Sequence, residues 1–196
     1  MSNTSRFTTK KLVGIAALTA IVIILQLVGS SIRFGVFSIS LVLIPIVVGA
    51  ALYGLAGGAW LGLVFGTVVL LSGDAGPFLA VIPPGTIITV LAKGVAAGLA
   101  AGLAYKLLEE KNQYLAIVIA AMVCPVVNTG VFLICCKIFF MPTINEWAKG
   151  AGFDSAGAYM ILGLAGVNFL LELAVNVVLS PVIMRIIAIG QKENRR

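Results

Sequence analysis

The chain has 196 residues, 61% of them drawn from Ala, Val, Ile, Leu, Met, Phe, Trp, Tyr and Cys, and only 10% charged. Solvated faces of helices and strands need more charge than that, so the composition excludes a water-soluble domain and defines one integral membrane domain, 1–196. The net charge of +6 at pH 7 fits basic loops at a membrane surface rather than nucleic acid, and the lack of histidine removes His-based serine or cysteine catalysis and most metal hydrolase sites.

In chain order, the first apolar segment, Leu12 to Gly29, follows Arg6, Lys10 and Lys11 as a signal peptide would. Its length, and the lack of a small-x-small cleavage site in Ser30-Ser31-Ile32-Arg33, predict a retained helix. From Phe34 to Gly73 there is no charged residue. This run holds a second span, Ser38 to Tyr53, a tight turn at Gly54 to Gly58, and a short third span ending near Leu71. Asp74, Pro77, Pro83 and Pro84 forbid a continuous helix through Ser72 to Gly85, which reads as a long loop. A fourth span follows from Thr86 to Leu108, then a polar turn at Glu109 to Gln113. The fifth runs from Tyr114 to Phe139 with Pro125 inside it, a second long loop covers Met141 to Gly157, and the sixth runs from Ala158 to Ile187.

Lysine and arginine placement orients this all-α, six-helix bundle. Arg6, Lys10, Lys11, Lys106, Lys111, Arg185, Lys192, Arg195 and Arg196 gather on one side, against Arg33, Lys137 and Lys149 on the other. The basic side faces the cytoplasm, so both termini are expected there and the long loops outside, as covers of a binding mouth. Gly58, Gly62 and Gly66, like Gly94, Gly98 and Gly102, recur every four residues, a spacing that lets helix backbones approach closely in lipid. Cys124, Cys135 and Cys136 lie in an apolar run and read as small hydrophobes, with neither a disulfide framework nor a metal-ligand spacing.

Polar side chains inside spans are expensive and must face the protein interior. Helical rise puts Lys93 about 10 Å below the outer surface, and Gln26 and Asn128 in the outer half. Asn168, Glu172, Asn176 and Ser180 form a stripe along the last span. For the stripe the plain reading is interhelical hydrogen bonding, and for Lys93 it is an ion pair with Glu172. The functional reading is that Lys93, with Arg33 from the outer loop, meets an anionic group on a ligand while Asn128 and Asn168 supply neutral hydrogen bonds. No phosphate-binding loop of the Gly-x-x-x-x-Gly-Lys-Ser/Thr type is present, and Asp74 and Asp154 fall in loops rather than on facing helices as an intramembrane aspartyl protease requires. The protein is therefore read as no enzyme, without cofactor or metal. Uphill transport would need an ion gradient or a partner ATPase.

One family matches this order of features. Ala16-x-x-x-Ala20 in the first helix, then Leu43-Ile44-Pro45-Ile46-Val47-Val48-Gly49, Tyr53-Gly54, and Gly58-Ala59-x-Leu61-Gly62-Leu63-Val64-Phe65-Gly66 resemble the substrate-binding S component of an energy-coupling factor (ECF) transporter. The resemblance implies a multi-pass protein of the bacterial plasma membrane that captures a vitamin or other micronutrient at the external face. It also implies docking through Ala16 and Ala20 on a transmembrane coupling subunit driven by two cytoplasmic ATPases. Lys93 and Arg33 favour a carboxylate ligand such as pantothenate over riboflavin, which needs a flat apolar slot. The competing reading is a self-sufficient, ion-gradient-driven carrier with Glu172 as a proton site; six spans without an evident inverted repeat weigh against it.

Overall fold

Glycine at position 54 sets the architecture of the N-terminal half. The computed structural model describes residues 9–31, 33–34, 37–38 and 41–194, with side chains described over 9–30 and 41–191. Helix α1 (Thr9–Ser31) leads to a two-residue antiparallel ladder, β1 (Arg33–Phe34) with β2 (Phe37–Ser38), in which Arg33 pairs with Ser38. Helix α2 (Leu43–Leu71) is interrupted by Gly54, whose φ of 73° and ψ of −167° lie in a region essentially reserved for glycine. A β-carbon on Gly57 would sit 2.9 Å from the Gly49 carbonyl oxygen, and one on Gly58 the same distance from the Ala50 methyl. Residues eight apart lie about 12 Å apart in a continuous helix, so α2 folds back on itself as two side-by-side arms, 43–53 and 55–71.

The remaining elements are α3 (Gly76–Leu79), α4 (Pro83–Leu108), α5 (Gln113–Phe139), α6 (Met141–Gly150), α7 (Ala156–Ala158), a π-helix (Tyr159–Ala165), α8 (Gly166–Val178) and α9 (Ser180–Asn194). Pro83 and Pro84 open α4 instead of breaking it, since the amides at a helix start have no intrahelical partner to lose. Asn112 caps α5 by accepting from the Leu115 amide at 3.0 Å, and Pro125 is accommodated inside that helix. The segment expected as a loop over Met141–Gly157 is largely helix α6, which turns Ile144 and Ala148 inward. The expected last span is interrupted twice, at Gly166 (φ 36°, ψ −139°) and at Leu179.

Among the described residues, five helices are long and apolar enough to cross a membrane: Thr9–Ser30, Leu43–Leu71, Pro83–Leu108, Gln113–Phe139 and Ala156–Val178. The expected second and third spans are the two arms of one of these. The first arm is about 16 Å long, half of a ~30 Å hydrocarbon core, and the expected start at Ser38 belongs to β2. Exposed Ile24, Leu27, Ile134, Val167, Leu170 and Val178 give the bundle an apolar exterior.

The second arm of α2 and α4 form the most extensive helix pair. Their seam is glycine on glycine: a β-carbon on Gly62 would collide with the Gly94 carbonyl oxygen, and one on Gly58 with that of Gly98. One core cluster fills the middle of α1, α2, α4, α5 and α9 around Val22, Ile46, Leu61, Phe65, Ile117 and Ile183. A second lies beneath the long connections, built from Phe78, Cys136, Phe140, Ile144, Tyr159 and Leu164. At the opposite end, Gln113 Nε2 donates to Gln191 Oε1 at 3.0 Å and Gln191 Nε2 to Tyr105 Oη at 3.2 Å, tying α4, α5 and α9 together.

Candidate functional site

Between the two clusters, at the end of the bundle that carries the 72–82 and 140–155 segments, lies a cavity with about 90 Å³ open to the centres of water molecules. Helical spacing aims its lining. On α4, Thr86, Thr89, Val90 and Lys93 fall on one face, and on α5 Asn128, Thr129 and Phe132 do the same. The α8 face contributes Asn168, Phe169 and Glu172, preceded on the π-helix by Leu164 and Ala165, while α1 brings Gln26 and α2 brings Phe65 and Val69. Asp74, Ala75 and Phe78 close it from the 72–82 segment, with Phe140 opposite.

Five of the six expected ligand residues, Gln26, Lys93, Asn128, Asn168 and Glu172, thus line one cavity although they come from four helices. For the sixth, Arg33, the backbone lies in β1 and the side chain falls outside the described residues. Gln26 is 2% exposed and donates from Nε2 to Asp74 Oδ2 at 2.7 Å, fastening α1 to the connection after α2. The Lys93 ammonium stands 5.4 Å from the centre of the Phe65 ring and 5.5 Å from that of Phe132, and Glu172 and Asp74 are the acids that line the cavity with it. Cations gain from such aromatic faces when desolvated. Glu172 is 4% exposed.

The polar groups divide into those already engaged and those not. Thr86 and Thr89 donate to the carbonyls of Ile82 at 2.9 Å and Gly85 at 2.7 Å, turning their hydroxyl protons away from the cavity. Asn128 Oδ1 and Asn168 Oδ1 are buried without a hydrogen-bond partner. Below them, fully buried Asn176 donates from Nδ2 to the Glu172 backbone carbonyl at 2.8 Å, a bond within α8 rather than the interhelical one expected for the stripe, while its Oδ1 is unpartnered.

Sequence reasoning missed Asp74 as a cavity residue, placing it only in a loop, and left the phenylalanines unplaced. Phe65, Phe78, Phe132, Phe140 and Phe169 all line the cavity. Phe132 lies one helical turn from Asn128 and Phe169 adjoins Asn168, a pattern present in the sequence; the Gln26–Asp74 bond has no local signal.

Ala16 and Ala20 lie away from this site and are exposed on α1. Ala16 borders a shallow apolar groove with Leu12, Ile15, Ala56, Gly57 and Trp60, across which the Trp60 indole donates to Thr19 Oγ1 at 3.1 Å.

An apolar-surfaced helical bundle holding a pocket of aromatic rings and unmet amides is a membrane-embedded binding protein for small molecules. Residues 10–184 match the family of substrate-specific components of ECF transporters, and the chain belongs to that family. Its members are substrate-binding subunits of transporters rather than enzymes, and they work with an ECF transmembrane subunit and ATPases. No curated protein and no solved structure matches the chain.

Proposed function

We propose that this protein captures an organic micronutrient in the cavity between α1, α2, α4, α5 and α8 and passes it to an ECF coupling subunit powered by two cytoplasmic ATPases. The observation that carries the reading is the convergence of Lys93, Asn128, Asn168 and Glu172 on one pocket in which the two asparagine oxygens have no partner of their own. Buried polar groups in a membrane bundle call for a partner, and where they line a cavity a ligand can supply it.

In this account both termini are cytoplasmic, the arms of α2 act as two of six crossings, and the cavity faces outward beneath the 72–82 and 140–155 segments. Lys93 gives the ligand a charge-assisted bond to an anionic oxygen, a requirement the carboxylate of pantothenate meets, and Gln26 holds Asp74 at the entrance. Ala16 and Ala20, on exposed α1, give the coupling subunit a surface of small residues that permits close helix approach.

Purification of the tagged protein from its native membrane tests the reading. A stable complex with a coupling subunit and ATPases, with uptake that stops when ATP is withheld, is the expected result. Uptake by the protein alone in liposomes, driven by a proton gradient and lost in Glu172→Gln, would establish a gradient-driven carrier instead.

A further inference from the structure

The cavity's unengaged groups define its ligand more narrowly than charge does. A bare carboxylate can accept from the Lys93 ammonium, but it carries no proton to give, so it would leave the carbonyl oxygens of Asn128 and Asn168 buried without partners. Exchanging the oxygen and nitrogen ends of either amide leaves the demand in place, because each amide presents both an acceptor and donors. The two asparagines stand on different helices, α5 and α8, and the hydroxyl protons of Thr86 and Thr89 on α4 are spent on their own backbone, which leaves those hydroxyls as acceptors. Beside the Lys93 ammonium, the Glu172 carboxylate and the Thr129 hydroxyl, the two asparagine oxygens are the cavity's buried acceptors without a partner.

The walls state a second requirement. Five phenylalanines line the cavity, and Phe65 and Phe132 flank the Lys93 ammonium at nearly equal distances. Aromatic side chains prefer offset-stacked or edge-to-face partners, which a flat conjugated ring offers and a flexible acyclic chain does not. An asparagine amide pairs bidentately with a ring edge that carries a donor beside an acceptor, as it does with adenine.

We infer that the substrate is a planar, conjugated nitrogen heterocycle whose edge bears N–H donors next to a carbonyl or anionic oxygen. The N–H groups meet Asn128 Oδ1 and Asn168 Oδ1, and the oxygen meets Lys93. The inference rests on the cavity being the capture site. What sets the ring apart from an acyclic carboxylate such as pantothenate, whose amide N–H and hydroxyls also donate, is the aromatic lining of the cavity.

The purified protein, incubated with a mixture of riboflavin, folate, pantothenate, biotin, thiamine and free nucleobases and then desalted and denatured, should release a compound with ring absorbance in the near ultraviolet and a lactam-type edge by mass spectrometry. For that compound, Asn128→Leu and Asn168→Leu should each weaken binding about tenfold or more without lowering the unfolding temperature. An analogue methylated at the edge nitrogen should bind the parent equally poorly and lose little further in the variants, since the two changes remove the same bond. Retention of pantothenate or biotin overturns the ring inference and leaves capture standing. Variants that bind like the parent while unfolding early make the asparagines structural and also overturn it. If the parent retains nothing and no compound shifts its unfolding, the capture reading fails and this inference with it.

Discussion

Replacing Gly62 by alanine should loosen the bundle at its tightest seam. The new methyl would lie well inside van der Waals contact of the Gly94 carbonyl oxygen, and one turn along the same seam even the looser Gly66 position leaves only 2.8 Å to the Val90 oxygen. Carbon needs roughly 3.5 Å from a non-bonded neighbour, so the α2 arm and α4 must part by about 1 Å or more. Overpacking of this kind costs about 1–3 kcal/mol, and the upper end applies here because the obstacle is backbone that cannot swing aside. At about 2–4 °C per kcal/mol for a chain of this size, the unfolding temperature followed by tryptophan fluorescence in detergent should fall by about 6–12 °C. Phe65 and Lys93 flank that seam, so ligand affinity should fall too. Gly130→Ala is the control, because nothing lies within 4 Å of the added methyl, and alanine's helix propensity favours it by up to about 1 kcal/mol. The reasoning is refuted if Gly62→Ala unfolds with the parent while Gly130→Ala falls by several degrees.

Lys93→Met should weaken ligand binding by about 2–5 kcal/mol in calorimetry; unchanged affinity with collapsed thermal stability would make the lysine an ion-pair partner of Glu172 alone. Ala16→Leu and Ala20→Leu should each abolish uptake while ligand affinity stays at the parent level, and equal loss of both would show that this face serves the fold or the pocket. In a background without the three native cysteines, a cysteine at exposed Gly152 should react with an impermeant external thiol reagent in intact cells and one at Asn194 should not; labelling at Asn194 reverses the proposed orientation. Gly54→Ala should destabilise by about 1–3 kcal/mol although open space surrounds the position, as a drop in unfolding temperature would report; an unchanged value would mean that the two arms of α2 tolerate another turn.

What the sequence made legible follows what is local. Apolar length revealed the helices, and glycine spacing marked the seam at 58, 62 and 66 against 94 and 98, because both signals repeat within one element. Polar residues inside apolar runs marked Gln26, Lys93, Asn128, Asn168 and Glu172, since lipid penalises them wherever they are placed. The breaks were harder to read. Pro83 and Pro84 look alike whether they end a loop or begin a helix, and neither the break at Gly166 nor the helix over Met141–Gly150 is dictated by residues nearby. Asp74 joined the site through a bond to a residue on α1, a long-range contact that no spacing rule encodes.

The π-helix at Tyr159–Ala165 makes the facing of everything after it depend on the number of residues it holds. Each π turn holds more residues than an α turn, and such segments arise where an extra residue is absorbed within a helix. Removing one residue there would let the segment tighten toward α-helical winding and rotate all that follows by about 100°. The chain could then keep Tyr159 and Leu164 seated in their cluster or keep Asn168, Glu172 and Asn176 facing inward, but not both. Length in this stretch is therefore as much a part of the binding site's specification as the identity of the residues that line it.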